Sequence, residues 1–270
     1  MDGIYNYPFL TQDWHSLNLN LFENGMFHGG TFWNLPNMSS PFNRIYFMMD
    51  GEAYLENENE HIPLIPGKMY LIPAESRYSY VCPSTMQKFF VHFSMELLPG
   101  VDLFSHFTSV LELPYDPALL ETILLEVKKE SISGLLHLKA IFWEIVYTFF
   151  LHGTQGIDYL DSFKGFYKQR KVLDYLASHI HAGLRVQELA DALQVPVHQL
   201  SRSFHQDTKQ GLKEYIGQLL LQRARHLLLH TDMSIGEIAE ALGFSDPYYF
   251  SRFFKKYEGI APREYRKQQF

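Results

Sequence analysis

The sequence predicts an α+β protein of two domains: a small β-barrel or jelly roll with trailing helices, followed by an all-α domain. Three observations lead to this fold class. Up to about residue 98, short aromatic and β-branched runs alternate with turn residues, which is typical of small all-β domains. From Pro117 onward the apolar residues follow helical spacing, and the last hundred residues contain an internal repeat. A chain of 270 residues is long enough for two domains.

The β-rich part is predicted to consist of short strands joined by tight turns. The Asp-Gly pair at residues 50–51 lies between the apolar runs 44–49 and 52–55, and such a pair favours a hairpin. Residues 56–60 form a second turn, and residues 62–73 contain another turn and a strand. Further strands are predicted at residues 78–81 and 87–93. Prolines at the ends of these runs agree with a small barrel.

Two helices are predicted after the strands, and the second, over residues 135–151, has a broad apolar face. That face consists of Leu138, Ile141, Phe142, Ile145, Val146 and Phe149. A broad apolar helix face is often an interaction surface, and it predicts a homodimer. The alternative is that these residues seal the barrel or dock the C-terminal domain. The predicted limits are residues 1–153 for the first domain, 154–166 for a linker and 167–270 for the second domain.

Three segments of the C-terminal part recur at an offset of 49 or 50 residues. Residues 189–193 recur as 238–242, residues 200–204 as 250–254, and Glu214-Tyr215 as Glu264-Tyr265. A longer helix over about residues 212–229 is predicted to join the two copies. Each copy contains a short amphipathic helix, a turn and a second helix. This is the pattern of a helix-turn-helix unit, whose second helix lies in the major groove of double-stranded DNA.

The second copy contains the residues that such a unit requires. Gly243 suits the left-handed end of the first helix, Ser245 or Asp246 can cap the next helix, and Pro247 suits its first turn. On that helix, Phe250 and Phe254 are four residues apart and are predicted to face inward.

Residues 238–246, 249–256 and 259–266 together resemble the signature of the AraC/XylS family of bacterial transcription regulators. The resemblance covers about residues 168–270. It implies two helix-turn-helix subdomains joined by a linker helix, which read two successive major-groove segments. The positions that are predicted to face DNA are His198, Gln199, Ser201, Arg202, Tyr248, Ser251, Arg252, Lys255 and Lys256. An outward arginine can bond two acceptors of guanine, and the two lysines can neutralise phosphate.

The first copy departs from the family pattern at three positions. Gln194 replaces the usual turn glycine, Pro196 replaces the usual serine N-cap, and Lys209 replaces the usual glycine after the helix. The turn must form without its favoured residues, and the missing cap is expected to weaken the helix by roughly 1 kcal/mol.

Charge is distributed unevenly along the chain. Residues 1–165 have a formal net charge of −11 and residues 166–270 one of +4. A basic part beside an acidic one favours contact of the basic part with a polyanion. Two domains that simply differ in charge remain an equal alternative.

Residues 43–46, 66–67, 71–74 and 91–93 stand where a cupin-like sensing domain places its hairpins and strands. Over about residues 20–98 the β-rich part therefore resembles the cupin-like sensing domain that is common in this family. A barrel mouth is a natural site for a small-molecule effector, and aromatic rings with polar tips suit a sugar. The candidate ligand-binding residues are Trp33, Arg44, Tyr46, Tyr78, Tyr80 and His92. The alternative is that these side chains fill a small barrel core.

Several other function classes are disfavoured by the sequence. A metal cupin needs two or three histidines and a carboxylate at one site, and residues 75–80 lie where its first histidine-rich motif is expected, so no metal site and no cofactor are predicted. The second hypothesis is nevertheless a metal-dependent cupin enzyme fused to a helical module.

The sequence predicts a cytoplasmic protein without a membrane span. It contains one cysteine, Cys82, it has no long uninterrupted apolar run, and its start is not that of a secreted protein. The resemblance adds RNA polymerase as a further partner.

Overall fold

The computed structural model describes residues 17–154 and 159–267 and contains two compact units. The first unit extends to Asp158 but excludes Leu98–Val101, and the second begins at Tyr159 and includes Leu98–Val101. The first unit is built mainly of antiparallel strands and the second of helices. The two-domain α+β prediction is therefore confirmed, whereas the cupin-like detail and the exact domain limits stay predictions.

Two antiparallel sheets form the β-rich unit. Their strands are β1 (Asn18–Gly30), β2 (Leu35–Met38), β3 (Asn43–Gly51), β4 (Ala53–Glu56), β5 (His61–Leu64), β6 (Lys68–Ile72), β7 (Tyr78–Val81), β8 (Thr85–Leu98), β9 (Val101–Asp102) and β10 (Leu111–Pro114). One sheet has the order β1-β8-β3-β6-β10, with β9 paired to β8, and the other has the order β2-β7-β4-β5. A short 3-10 helix, Thr31–Trp33, leads from the first sheet to the second.

The predicted hairpin at Asp50-Gly51 is wrong, because the strands on its two sides belong to different sheets. β3 pairs with β6 and β8, whereas β4 pairs with β5 and β7. Gly51 has a φ of 85°, and a Cβ at this position would lie 2.1 Å from the carbonyl oxygen of Thr85. Glycine therefore lets the chain pass closely over β8 and enter the second sheet. The turn predicted at residues 56–60 does join a pair of strands, β4 and β5.

Both faces of the β3–β8 region are buried, which explains its nearly continuous apolar sequence. Tyr46 and Met48 face the second sheet and join a core with Leu55, Tyr70 and Tyr80. The alternate residues of β3 and β8 form a second apolar layer on the opposite face, namely Ile45, Phe47, Phe89, Val91 and Phe93.

Helices α1 (Pro117–Lys128) and α2 (Ile132–Gly153) pack together after the strands. Asp116 caps α1 by accepting a hydrogen bond from the Ala118 N–H, and Ser131 caps α2 by accepting one from the Gly134 N–H. By length and composition α2 could cross a membrane, and a single helix of this kind is weak evidence for a span.

The structure corrects the predicted interaction face of α2. Its central residues Phe142, Ile145, Val146 and Phe149 are buried, whereas Leu138 and Ile141 are half-buried. The central part of this face is therefore covered by other parts of the chain and is not a free surface. The exposed apolar side chains of α2 are Ile132, Leu135, Leu136, Trp143, Tyr147 and Leu151.

The second unit is helical, and within its described residues the helices are α3 (Tyr159–Lys168), α4 (Arg170–His179), α5 (Val186–Ala192), α6 (Val197–Thr208), α7 (Leu212–His230), α8 (Ile235–Ala241), α9 (Pro247–Glu258) and α10 (Pro262–Arg266). The helix predicted at residues 212–229 is thus present as α7. Residues 159–166 of the predicted linker belong to α3. Phe163 of α3 is fully buried, and α3 packs closely on α6, where a Cβ on Gly165 would lie 2.0 Å from the carbonyl oxygen of Asp207.

A buried ion pair connects α7 to α9. The guanidinium of Arg225 contacts the Glu258 carboxylate at 2.5 and 2.7 Å, and both side chains are over nine-tenths buried. The guanidinium of Arg266 donates to the carbonyl oxygens of Leu228 and Met233. These contacts hold the second copy of the repeat against the joining helix.

Candidate DNA interface and candidate ligand site

The first helix-turn-helix unit consists of α5 and α6. Its turn is closed by Gln194 in the left-handed conformation, with a φ of 56°, which disfavours side chains other than glycine and asparagine. α6 begins after Pro196 without a side-chain cap and ends at Lys209, whose φ is 62°. The three departures from the family pattern therefore fall on the turn, the N-cap and the C-cap of this unit.

The second helix-turn-helix unit, α8 and α9, has the favoured residue at each of these places. Gly243 and Gly259 adopt φ angles of 74° and 78°. Asp246 accepts a 2.7 Å hydrogen bond from the Tyr249 N–H, with Pro247 as the first helical residue. That hydrogen bond, and a second one from the Ser245 hydroxyl, lower the pKa of Asp246, so its charge favours the start of the helix.

The second helix of each unit buries one face and leaves the opposite face to solvent. Leu200 and Phe204 of α6, and Phe250 and Phe254 of α9, are buried. The exposed residues are His198, Gln199, Arg202, Tyr248, Arg252, Lys255 and Lys256. Ser201 and Ser251 are half-buried, and the Ser251 hydroxyl donates a 2.8 Å hydrogen bond to the carbonyl oxygen of Pro247. Seven of the nine residues that were predicted to face DNA are thus accessible.

Arg252 is held by two tyrosines at the start of α9. Its guanidinium carbon lies 5.0 Å from the ring centroid of Tyr248 and 5.9 Å from that of Tyr249. Tyr248 is 72% exposed. A stacked guanidinium keeps its donors in the ring plane available for a partner. Tyr249 was not predicted as a site residue, because the repeat pattern alone does not distinguish it from its neighbour.

Four of the six candidate ligand residues come together between the two sheets of the first unit. Arg44 donates a hydrogen bond to the Tyr80 hydroxyl, and its guanidinium carbon lies 5.2 Å from the Tyr80 ring centroid. The Trp33 ring lies 5.1 Å from that of Tyr80 and 6.3 Å from that of Tyr46. Burial raises the pKa of Tyr46, against the effect of hydrogen bonds with Arg44 and Tyr80.

The other two candidates lie at the edges of this cluster. His92 stacks on Phe42, with 4.7 Å between ring centroids, and its Nδ1 lies 3.1 Å from a carboxylate oxygen of Glu23. Burial lowers the pKa of His92 to about 4, although the hydrogen bond that its ring donates to the Glu23 carboxylate acts in the opposite direction. The Tyr78 hydroxyl donates to the Glu60 carboxylate, so its polar tip is already engaged.

Lys88 of β8 belongs to the same cluster and was missed in the sequence. Its Nζ lies 3.3 Å from the ring centroid of Tyr46, 4.1 Å from that of Trp33 and 5.2 Å from that of Phe27. Burial, followed by repulsion from Arg44, holds the pKa of Lys88 well below its usual range. The sequence does contain a signal for Lys88 as a site residue, because alternation along the strand places it on the same face as Phe90 and His92.

Histidine, cysteine and carboxylate side chains do not gather in threes anywhere in residues 17–154 and 159–267 in a way that could hold a metal ion. The charged and hydrogen-bonding groups that meet between the two sheets include those of Arg44, Lys88, Tyr46 and Tyr80. This set can bind a small organic molecule through ring stacking and hydrogen bonds.

Residues 189–268 match the helix-turn-helix domain family. The chain is 36% identical over 98 residues to the Msm operon regulatory protein of Streptococcus mutans. The aligned segment covers 36% of this chain and 35% of that protein. It is 34% identical over 98 residues to the transcriptional activator RhaS of Yersinia pestis, which covers 36% of each. The chain therefore spans about a third of the length of these curated relatives.

Two solved structures of ToxT from Vibrio cholerae share the fold over nearly the whole chain. One has a TM-score of 0.56 at 16% identity and covers 92% of this chain and 98% of ToxT. The other, ToxT with an unsaturated fatty acid bound, has a TM-score of 0.53 at 16% identity and covers 94% and 96%. At this identity the likeness concerns the fold alone.

The second unit is thus a DNA-binding domain with two helix-turn-helix units. Because the matched segment contains residues 238–266, this C-terminal unit is similar to the helix-turn-helix domains of the Msm operon regulatory protein and of RhaS.

Proposed function

We propose that the whole chain is a sequence-specific transcription regulator whose promoter binding depends on a small molecule in the N-terminal barrel. The observation that carries this proposal is the pair of accessible recognition helices, α6 and α9, each with an exposed arginine, Arg202 and Arg252. α7, with 19 residues, is about 28 Å long and separates the two units. That spacing suits two successive major-groove segments on one side of DNA.

The effector site of this proposal is the aromatic cluster of Trp33, Tyr46 and Tyr80 with Arg44. The cluster supports a ligand with a flat or apolar body and a polar end, and a sugar was the ligand predicted from the sequence. The fatty-acid complex of ToxT supports a small-molecule ligand in a protein of this fold. An effector that binds one conformation of the regulator better than another changes its occupancy on DNA through a population shift.

The regulator is further proposed to act as a cytoplasmic homodimer that contacts RNA polymerase. The face of α2 that supports a dimer is the exposed apolar one, with Leu136, Trp143, Tyr147 and Leu151 at helical spacing. A second copy would remove this surface from water. Two chains would bring four helix-turn-helix units to repeated DNA sites and raise their effective concentration.

The experiment that tests the regulator is DNA binding by the full chain. Selection from random duplexes should enrich a site with two half-sites about one helical turn apart. Binding to that site should exceed binding to random DNA at least 10³-fold at physiological salt, on the order expected for specific proteins. Equal binding to all duplexes would contradict a sequence-specific regulator. A bound metal together with a catalysed reaction would favour the cupin-enzyme alternative.

A further inference from the structure

Helix α3 and the residue that follows it contact the C-terminal end of the first recognition helix, α6. Gln169 is buried, and its amide donates a 2.5 Å hydrogen bond to the carboxylate of Asp207 near the end of α6. The Lys168 ammonium lies 3.6 Å from the other oxygen of that carboxylate. Gly165 lets the two backbones approach, since a Cβ there would lie 2.0 Å from the carbonyl oxygen of Asp207. The α3–α6 contact therefore combines close backbone packing with polar contacts to one side chain.

The two recognition helices are held at their ends in different ways. In the second unit, Glu258 at the end of α9 forms an ion pair with Arg225 of the joining helix α7. The equivalent place of the repeat in α6 is Thr208, which cannot form this ion pair and whose hydroxyl donates to the carbonyl oxygen of Phe204 in its own helix. The end of α6 is instead contacted from the other side, by α3.

The ends of α6 also lack the local signals that are present in α9. α6 begins after Pro196 without a side-chain cap and ends at Lys209 in the left-handed conformation. α9 is capped by the side chain of Asp246 and ends at Gly259. A binding side chain must be held within about 0.5 Å of its productive position. Because its caps do not supply this rigidity, α6 depends on the contact with α3 for it.

We propose that Gly165 and Gln169 are positioning residues of the DNA interface, which act through Asp207 to fix α6 for base reading. The half-site that α6 reads then depends on α3, whereas the half-site that α9 reads does not. Phosphate would repel the Asp207 carboxylate, and base contacts come from the N-terminal part of a recognition helix, so these residues act through α6 and not on DNA. The inference rests on the proposed function, because it adds residues from outside the two helix-turn-helix units to the same interface.

The test measures the affinity of the full chain for three duplexes: the selected site, and that site with one or the other half-site scrambled. The ratio of two affinities gives the preference for each half-site, and Arg202→Ala and Arg252→Ala show which helix reads which half. A smaller folded fraction lowers binding to all three duplexes equally and leaves both ratios unchanged. The ratios therefore separate positioning from a general loss of stability.

Gly165→Ala places a methyl group against the backbone of α6 and should lower the preference for the α6 half-site by at least about fivefold, the lower end for one bidentate base contact. The preference for the α9 half-site should not change. Gly236→Ala is the matched control, because its added methyl group would lie no closer than 3.7 Å to the nearest side chain or distant backbone atom, and it should change neither preference.

Gln169→Glu tests the same contact without added volume. It places a second carboxylate against Asp207 and should also lower the preference for the α6 half-site. Adding Asp207→Asn replaces the repulsion by an amide–carboxylate hydrogen bond and should restore that preference. The proposal is overturned if the single variants reduce both preferences alike, if they change neither, or if the double variant reads the α6 half-site no better than Gln169→Glu. A wild-type chain that binds all three duplexes equally contradicts the proposed function itself.

Discussion

Arg252 and Lys256 lie on the exposed face of α9 but are expected to contribute differently to DNA binding. Arg252→Ala should weaken binding to the selected site by about 1–3 kcal/mol and relax the preference at one base position, because it removes a bidentate base contact. Lys256→Ala should weaken binding to every sequence and reduce the salt slope by about one, because it removes a phosphate contact. Fluorescence anisotropy with the selected and a random duplex at several salt concentrations measures both. An equal loss on the two duplexes for Arg252→Ala would contradict base reading.

His92 should make the stability of the β-rich unit depend on pH. Its pKa is about 4 in the folded protein and about 6.5 in the unfolded chain. Below pH 6.5 His92 binds a proton in the unfolded state but stays neutral in the folded state. The free energy of unfolding therefore falls as the pH is lowered toward 4. The loss from this residue is on the order of 3 kcal/mol.

Tryptophan fluorescence during urea unfolding measures this effect, because all three tryptophans, at positions 14, 33 and 143, belong to the first unit. His92→Gln keeps a neutral polar side chain and should flatten the pH dependence between 6.5 and 4. An unchanged slope in this variant would mean that carboxylate groups alone cause the acid sensitivity.

Strand alternation was sufficient to predict which face of β3, β7 and β8 carries the candidate ligand residues. It did not lead to Lys88, because lysine is almost never buried and its presence on an inner face contradicts that rule. The contacts among Arg44, Tyr46 and Tyr80 depend on how two sheets meet. Periodicity within one strand contains no information about how far that strand lies from a strand of the other sheet.

The two helix-turn-helix units provide an internal comparison of turn chemistry. Gln194 adopts the left-handed conformation that Gly243 adopts in the other unit. Gln194→Gly should therefore raise the free energy of unfolding of the C-terminal domain by about 1 kcal/mol. Gln206→Gly, at an exposed position inside α6, should lower it by about the same amount. Chemical unfolding followed by circular dichroism measures both, and a loss of stability in Gln194→Gly would show that its side chain contributes a contact.

The sequence predicted the helices of the repeat better than it predicted the strand connections. Because the two copies recur at an offset of 49 or 50 residues, the helix ends recognised in one copy indicate the helix ends in the other. Capping residues such as Asp246 and Gly259 are local signals of those ends. The Asp50-Gly51 turn is equally local, but whether it closes a hairpin or changes sheet depends on its contact with Thr85, which is distant in sequence. α3 was missed because the segment before it, with its glycine and polar residues, favoured a linker.

Helix α3 determines where the DNA-binding domain can be separated from the rest of the chain. A fragment of residues 159–270 should unfold cooperatively and bind DNA, because α3 buries Phe163 against the rest of the unit. A fragment that begins at Phe166 loses that ring and should be less stable by about 2–3 kcal/mol. Phe163→Ala in the longer fragment is the matched control and should reproduce most of the loss. Equal stability of the two fragments in urea would place the boundary at residue 166 after all.

The exposed apolar face of α2 leads to the prediction on assembly. Leu136, Trp143, Tyr147 and Leu151 recur at intervals of seven, four and four residues, so they form one stripe opposite the buried side of the helix. If this stripe covers a second copy, Tyr147→Glu places a charge in an apolar interface and should convert the dimer to a monomer without unfolding it. Thr148→Glu adds the same charge one position further along, on the polar side with Glu144 and His152, and should leave the dimer intact. Light scattering at tens of micromolar measures both, and a wild-type chain that stays monomeric with and without DNA would contradict the assembly.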